Sequence, residues 1–523
     1  MCELLGLLAG FLDVDQIHHE AVGPATACVL DFTPLGFSGL GWNVVVVSPA
    51  PNSPEESQFQ AQFLNDQKNA TDSVGYSFHI YLSDRLPASN PYIMPSHQAV
   101  FLCREDLEAL FAAAVPKMAL AAMIRRQTPI SSQCPFNTNH EAAGSMFYGR
   151  KHELGQLVDD HVRSFAVQGA RRIGKTSLLK QSWRILRNRI QEDDKRRAYY
   201  FNCLMWDDYG SSVRTLAHAI EPRRESRVAL TDINLVYLFE RASRGGVRPL
   251  SLFLDEVDRL IDMDSAYGWR FFRTLTTARS NGYIRFVVAG YRSVPKLLMG
   301  PHNRRTGETT GIQPVRMTDS TPLHMQLESI SLGPLSPREA GQLLIEPLRS
   351  AEVKVQGESA LQDAVWRATS GYPFLVQFIG HRLFTIAAAS PNQPLTPEVV
   401  SSIGNGKEIQ EFLETHFLEN TIEDGIPVVS ERSCTFLLAH ASHFEWSHQD
   451  FLDACRAHRV PLGCDPFTTI KNALHNLVDA QILSVQAGKY SFSFPLIREV
   501  LTNCYPRLGS ALDALQETSH VAG

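Results

Sequence analysis

The stretch GARRIGKTSLL, residues 169–179, decides the fold. Its first eight residues fit Gly-x-x-x-x-Gly-Lys-Thr, in which backbone N–H groups curl around phosphates, the lysine reaches the β and γ phosphates, and the threonine binds Mg²⁺. The apolar run SFAVQG precedes it and the helical pattern TSLLKQSWRIL follows it, so the helix N-terminus would face the anion. We therefore predict a phosphate-binding loop. Its predicted nucleotide contacts are Gly169, Ala170, Arg171, Arg172, Ile173, Gly174, Lys175, Thr176 and Ser177.

A second segment, LSLFLDEVDRL (250–260), provides the acids that such a loop needs. We predict that Asp255 holds Mg²⁺ through water together with Thr176, and that Glu256 polarises the attacking water as general base. The alternative is that Asp255 and Glu256 form an acidic strand end with no catalytic or metal-binding role. The segment IRFVVAGYRSV (284–294) predicts a strand between the other two in the sheet. Tyr291 and Arg292 follow it as candidate sensors of the γ-phosphate, or as plain surface residues.

The chain around these motifs alternates strand and helix patterns. Strands are predicted at 164–169, 197–204, 250–256, 284–290 and 327–332, and their nearly continuous apolar character is typical of parallel strands buried on both faces. A mainly helical segment follows at 333–405. The tail reads as three helices and a hairpin around Gly488, with Pro466 at the first turn of the third helix, which predicts a winged helix.

The first 130 residues read as a separate small α/β domain of unknown role. Strand patterns at 42–49, 76–83 and 98–103 alternate with helical ones, which indicates a partly parallel sheet. Residues 131–145 are rich in Pro, Gln and Asn and predict an extended, exposed linker. The predicted domains are 1–130, the linker 131–145, an α/β core at 146–332, a helical lid at 333–405, a winged helix at 406–510 and a tail at 511–523.

The amino-acid composition limits the classes of protein to which this chain can belong. The 523 residues carry a net charge of −6 with a pI near 6.3, so no global basic field draws the chain to nucleic acid. Nine scattered cysteines without a C-x-x-C pair predict reduced intracellular thiols. No apolar run reaches the length of about 18 residues that a membrane span needs. We therefore expect a cytoplasmic protein.

Two further stretches resemble sequence motifs of a known protein family. MFYGRKHEL (146–154) is similar to an F-x-G-R-x-x-E-L box, and GYPFLVQFIG (371–380) is similar to a G-x-P box. With the phosphate loop and the acidic strand they resemble the AAA+ superfamily, and more narrowly the STAND and archaeal-type ATPases of prokaryotes, over about 146–505. The resemblance implies a P-loop NTPase core with a helical lid and a winged helix. It also implies adenine-side contacts through Tyr148, Gly149 and Arg150, with Pro373 against the base.

The resemblance implies a function as well. It points to an ATP- and Mg²⁺-dependent molecular switch in signalling or in defence against phage and other mobile elements, acting through self-association or a partner protein. An arginine supplied in trans would be Arg279 first, while Arg382 could touch phosphate from the lid; a solvated role is the alternative for both. A DNA-associated ATPase resembling initiators or transposition regulators, and an ATP-binding scaffold with negligible turnover, remain alternatives. The predicted winged helix has few basic residues, which favours protein packing over DNA binding.

Overall fold

In the computed structural model the chain forms two compact units. One comprises Met1–Tyr148, Pro337–Trp366 and Leu375–Val400, and the other Gly149–Ser336, Arg367–Phe374 and Ser401–Gly523. Each unit is described by itself. The structure describes residues 19–22, 25–31, 42–49, 78–82, 98–127, 134–136, 138, 141–142, 146–188, 198–206, 208–220, 232–244, 249–266, 268–290, 294, 327–404, 406–413, 445–457, 466–479, 482–496 and 498.

A mixed five-stranded sheet lies at the N-terminal end of the first unit. Its strands, in the order β1-β2-β3-β4-β5, are His19–Val22, Ala25–Asp31, Trp42–Pro49, Phe78–Leu82 and Gln98–Leu102. Strands β3, β4 and β5 are parallel, as the sequence predicts, whereas β1 and β2 add antiparallel strands that the sequence analysis missed. Helices α1 (Arg104–Ala112) and α2 (Pro116–Gln127) follow.

The prediction of an exposed linker is wrong for Cys134–Phe136. All three residues are buried, and the Phe136 ring is only 1% exposed. The Phe136 ring lies against Gly380 of the long helix α11 (Pro373–Ala389), where the absence of a side chain leaves room for it. Burial of the Phe136 ring therefore anchors this segment. Before α11 come β10 (Leu327–Leu332) and helices α9 (Pro337–Ser350) and α10 (Glu358–Thr369).

The second unit contains a five-stranded, all-parallel sheet. Its strands are β6 (Ser164–Gly169), β7 (Ala198–Asn202), β8 (Leu250–Asp255) and β9 (Ile284–Ala289), together with β10, in the order β10-β6-β9-β8-β7. The sequence-predicted strands are thus confirmed, and β9 does lie between β6 and β8. Every residue of β8 and β9 is buried, because both faces of the sheet are covered.

Helices cover the two faces of the parallel sheet. Alternate residues such as Leu252, Leu254 and Phe286 share one core with the helices on their face, while helix α4 (Lys175–Asn188) packs on the other face against β6 to β9. The helices of this region are α3 (Lys151–Asp159), α4 (Lys175–Asn188), α5 (Tyr209–Ile220), α6 (Asp232–Ser243), α7 (Asp258–Ala266) and α8 (Arg270–Ser280).

The C-terminal part of this unit combines short helices with a small antiparallel sheet. The helices are α12 (Glu398–Gly404), α13 (Lys407–Leu413), α14 (His448–Ala457) and α15 (Pro466–Asp479). The strands β11 (Trp446–Ser447), β12 (Leu483–Gln486) and β13 (Lys489–Phe492) pair in the order β11-β13-β12. Helix α15 begins at Pro466 as predicted, and the hairpin turns at Gly488 (φ 77°). The helix predicted at 433–441 lies outside the described residues.

Candidate functional site

The phosphate-type loop sits between β6 and α4, at the carboxyl edge of the parallel sheet. Gly169 has φ 152°, and a Cβ there would lie 2.8 Å from the Leu332 carbonyl oxygen, so a side chain is excluded by backbone. Gly174 has φ 102°, which also favours glycine. The Gly174 carbonyl accepts from Leu178 N at 3.0 Å and starts the helix. These two glycines therefore set the loop that directs the N-terminus of α4 outward.

Lys175 is folded back into the loop. Its side chain is 8% exposed, and Nζ donates to the carbonyl oxygens of Gly169 at 2.9 Å and Ala170 at 2.8 Å. Burial lowers the pKa of Lys175, while the nearby charges of Glu256, Asp255 and Asp258 act in the opposite direction. The charges at the acidic end of β8 therefore act on the lysine, although the two motifs lie about 80 residues apart in the sequence.

Asp255 ends β8 with its carboxylate buried, at 1% exposure. Oδ2 accepts from the Tyr200 hydroxyl at 2.8 Å, and Oδ1 accepts from Glu256 N at 3.0 Å. Burial raises the pKa of Asp255, whereas hydrogen bonds from Thr176 and Tyr200 favour its ionised form. The structure therefore brings Thr176 and Asp255, the two predicted metal ligands, into contact.

Glu256 follows in the left-handed backbone region, with φ 52°. A non-glycine residue costs about 1 kcal/mol or more in this conformation, so the strand end is held in a strained turn. The residue is exposed to solvent, yet partial desolvation and the adjacent charge of Asp255 raise the pKa of its carboxyl group. The position next to Asp255 and the solvent access are those that a general base requires.

Arg150 connects two parts of this site. Its Nη2 donates to the Gly333 carbonyl, which follows β10, and to the Ile173 carbonyl of the loop at 3.4 Å. Arg150 has φ 57° and stands at the N-cap position of α3, without a capping hydrogen bond from its side chain, and Gly149 before it has φ 71°. The adenine-side role of Gly149 and Arg150 stays a prediction; what the structure shows is Arg150 tying the loop to the end of β10.

The Gly-x-Pro segment also reaches the loop. The Tyr372 hydroxyl donates to the Arg171 carbonyl, and the Arg172 guanidinium lies over the Phe374 ring, with Cζ 4.3 Å from the ring centre. Pro373 stands between these two aromatic residues, at the first position of α11. The structure thus places the predicted base-contacting proline next to residues that touch the loop backbone and side chain.

Arg279, the first candidate for an arginine supplied in trans, does not lie at this edge of the sheet. Arg279 lies at the end of α8, just before β9 begins, and so stands at the amino edge, opposite Asp255. Its role in trans stays a prediction. Tyr148 and Arg382 belong to the first unit, where burial and the charge of Glu346 raise the pKa of Tyr148. The candidate sensors Tyr291 and Arg292 lie outside the described residues.

Sequence reasoning missed Tyr200 and Tyr372. Tyr200 lies on β7, and the strand pattern alone does not reveal that its hydroxyl meets Asp255. The signal that could have found it is register, because Asn202 pairs with Asp255 and places Tyr200 two residues earlier on the same face. Tyr372 lies within the Gly-x-Pro box, of which the resemblance implies a role for the proline only.

The donor set fits a magnesium nucleotide. A threonine hydroxyl and a buried carboxylate are hard oxygen ligands of the kind that Mg²⁺ prefers, and the loop adds a lysine and a helix N-terminus for phosphate. Among the described residues, no group of three or more His, Cys, Asp or Glu converges as a separate metal site. Within the same residues, no helix is both long enough and apolar enough to cross a membrane.

Comparison with known proteins gave structural likenesses only. No protein-family model matches the sequence, and no curated protein matches it. The Walker-type ATPase PABY2304 of Pyrococcus abyssi is similar with 15% identity, over 70% of this chain and 99% of that one, at a TM-score of 0.46.

Two proteins of Aeropyrum pernix are also similar. The ORC2 protein, in ADPNP–ADP complexes, has 13% identity over 71% of this chain and 95% of that one, with a TM-score of 0.47. The ORC1 protein, in complex with DNA, has 15% identity over 68% and 92% of the two chains, with a TM-score of 0.34. The strand order of the parallel sheet and the loop between β6 and α4 give this chain the fold of a P-loop NTPase.

Proposed function

We propose that this chain binds ATP with Mg²⁺, hydrolyses it, and works as a nucleotide-dependent switch of the AAA+ type. One observation carries the proposal: Thr176 of the loop hydrogen-bonds to Asp255, and Lys175 of the loop lies near enough for the charges of Glu256 and Asp255 to act on it. A loop alone could serve for binding only. The added pair of acids gives the site both a metal ligand and a candidate base.

Each residue has a distinct task in this proposal. Lys175 would exchange its two loop carbonyl acceptors for phosphate oxygens, and Thr176 and Asp255 would hold Mg²⁺, the aspartate through water. Glu256 would accept a proton from the attacking water. Bound Mg²⁺ supplies charge neutralisation for the β and γ phosphates.

The switch component is supported by the contacts of Arg171 and Arg172. The first accepts from Tyr372 through its carbonyl and the second stacks on Phe374, so a loop that rearranges around phosphate must also move against the Gly-x-Pro segment. We propose that this segment passes the nucleotide state on, to a partner or to a second copy of the chain. A place in signalling or defence stays a prediction, as does a cytoplasmic location.

The alternative is a DNA-associated ATPase. The arrangement of α14, α15 and the β12–β13 hairpin supports the interpretation as a winged helix, which DNA-binding proteins use. The described basic side chains there are few. Lys489 on the hairpin is 3.5 Å from a Glu445 carboxylate oxygen, and Arg456 is 3.5 Å from Asp453. Since phosphate contacts dominate affinity for DNA, this surface favours the switch over the alternative.

Two variants test the site. Lys175→Ala should abolish ATP binding in calorimetry, while Lys407→Ala, an exposed lysine on α13, should bind as the wild type does. Glu256→Gln should bind ATP normally but turn it over at least about 100-fold more slowly. Retained binding in Lys175→Ala would refute the loop assignment. Unchanged turnover in Glu256→Gln would remove that residue as the base.

A separate measurement decides between switch and DNA-associated ATPase. ATP turnover is measured with and without duplex DNA, in low and in moderate salt. The switch proposal expects no stimulation. Stimulation that falls steeply with salt would establish DNA as the partner and refute that proposal, because release of counterions from neutralised phosphates gives such a slope.

A further inference from the structure

Tyr200 stands where it can control the carboxylate of Asp255. It lies on β7, the strand next to β8, and pairs in register with Phe253, two residues before Asp255. Since residues i and i+2 of a strand share a face, Tyr200 and Asp255 are diagonal neighbours on the α4 face of the sheet. An aromatic side chain spans this diagonal, and its hydroxyl oxygen lies 2.8 Å from Asp255 Oδ2.

The Tyr200 ring is held by the helix that follows the phosphate-type loop. The Trp183 ring centre is 6.0 Å from that of Tyr200, and Lys180 Nζ lies 5.3 Å from it. Trp183 Nε1 also donates to the Ala198 carbonyl at 3.1 Å, which joins α4 to β7. The hydroxyl is therefore not free to swing, and its direction depends on the same helix that carries Thr176.

Asp255 needs such a donor because its side chain is almost completely buried from bulk solvent. With the residue only 1% exposed, the donors to its carboxylate are protein groups: Glu256 N on Oδ1, Tyr200 on Oδ2, and the Thr176 hydroxyl. A hydrogen bond to a buried carboxylate stabilises its charge and fixes its rotation. Partners of this kind orient metal ligands in other proteins, and their loss typically costs 10- to 100-fold in metal affinity.

We propose that Tyr200 is a positioning residue for magnesium: its hydroxyl, 2.8 Å from Oδ2, fixes the direction of the Asp255 carboxylate, which would hold the metal. The inference rests on the proposed function and deepens it. Tyr200 touches neither nucleotide nor metal in this scheme and acts only through Asp255. It predicts that loss of the hydroxyl weakens metal binding and leaves the affinity for metal-free nucleotide almost unchanged.

Calorimetric titration of the full chain with ADP, in EDTA and over a series of Mg²⁺ concentrations, tests the inference. Tyr200→Phe keeps the ring and its contacts and removes only the hydroxyl. It should raise the Mg²⁺ concentration for half-maximal enhancement of ADP binding about tenfold. Its affinity for ADP in EDTA should stay within about twofold of wild type. Tyr199→Phe is the matched control, because Tyr199 packs on the opposite face of the sheet, and it should change neither value.

A double-mutant cycle with Asp255→Asn guards against a general loss of structure. Once the carboxylate is gone, Tyr200→Phe should have no further effect on the Mg²⁺ dependence. Equal Mg²⁺ dependence in Tyr200→Phe and wild type overturns the inference, as does an equal loss of affinity with and without metal. A wild-type chain that binds no ADP under either condition refutes the proposed function itself, and the inference falls with it.

Discussion

The guanidinium of Arg172 stacks on the ring of Phe374, and this ring in turn stacks on Phe412, with ring centres 4.7 Å apart. Arg172 adopts the left-handed conformation, with φ 58°, inside a loop that is expected to hold phosphate. An arginine is an unusual choice at such a position, where glycine is favoured. The stack therefore compensates for a backbone conformation that the residue would otherwise avoid.

Replacement of Arg172 separates these two effects. Arg172→Ala loses the stack and keeps the unfavourable φ, so the free energy of unfolding should fall by about 1–2 kcal/mol. Arg172→Gly loses the stack but adopts the conformation without strain, so it should be the more stable variant of the two. Thermal unfolding of both variants checks the order. A glycine variant less stable than the alanine variant would contradict the account.

The same stack should matter for nucleotide binding. If Arg172 links the loop to the Gly-x-Pro segment, Arg172→Ala should change ADP affinity or self-association several-fold, because a loop contact has been lost. Arg171→Ala removes an exposed side chain but keeps the backbone carbonyl that accepts from Tyr372, and should have little effect. Titration calorimetry and sedimentation measure the two quantities. Unaltered ADP affinity and self-association in Arg172→Ala would show that this arginine does not link the loop to the Gly-x-Pro segment.

The strands of the parallel sheet could be predicted from the sequence because buried parallel strands are nearly continuous apolar runs. Ser164–Gly169 and Leu327–Leu332 match the prediction at both ends, and β9 lies between its predicted neighbours. What the apolar runs could not provide is the partner of a polar residue inside them. Arg285, the second residue of β9, is fully buried and donates to Ser251 Oγ at 2.7 Å and to the Leu157 carbonyl at 2.8 Å.

The same limit explains the other omissions. Burial lowers the pKa of Arg285 to about 10, yet no local pattern signals that α3 and β8 supply its acceptors. Tyr200 and Asp255 are 55 residues apart, so their hydrogen bond depends on register between strands rather than on spacing along the chain. The strands at His19–Val22 and Ala25–Asp31 were missed because the stretch around them shows no clear alternation.

Asp264 gives a prediction about stability. Its buried carboxylate accepts from Phe271 N at 2.8 Å and Phe272 N at 2.9 Å, and so caps the first turn of α8. Asp264→Ala leaves both N–H groups without this acceptor and should lower the free energy of unfolding by about 2–3 kcal/mol. Asp264→Asn keeps one acceptor oxygen, so its free energy of unfolding should lie between those of the wild type and Asp264→Ala. Denaturant unfolding checks the order, with exposed Asp262→Ala as a control near zero.

Gly380 gives a prediction for the first unit, where Phe136 packs on α11. A Cβ at Gly380 would lie 2.5 Å from Cε1 and 2.6 Å from Cδ1 of the buried Phe136 ring, so one of the two groups must shift. Gly380→Ala should therefore destabilise the unit by about 1–3 kcal/mol through overpacking, although alanine is the better helix former.

Gly155→Ala in α3 is the control, because the nearest atom to its Cβ is 3.8 Å away. It should stabilise the chain slightly. Adding Phe136→Leu to Gly380→Ala should restore part of the loss by making room for the new methyl group. Thermal unfolding measures all four proteins, and a Gly380→Ala chain as stable as wild type would show that Phe136 does not anchor this segment.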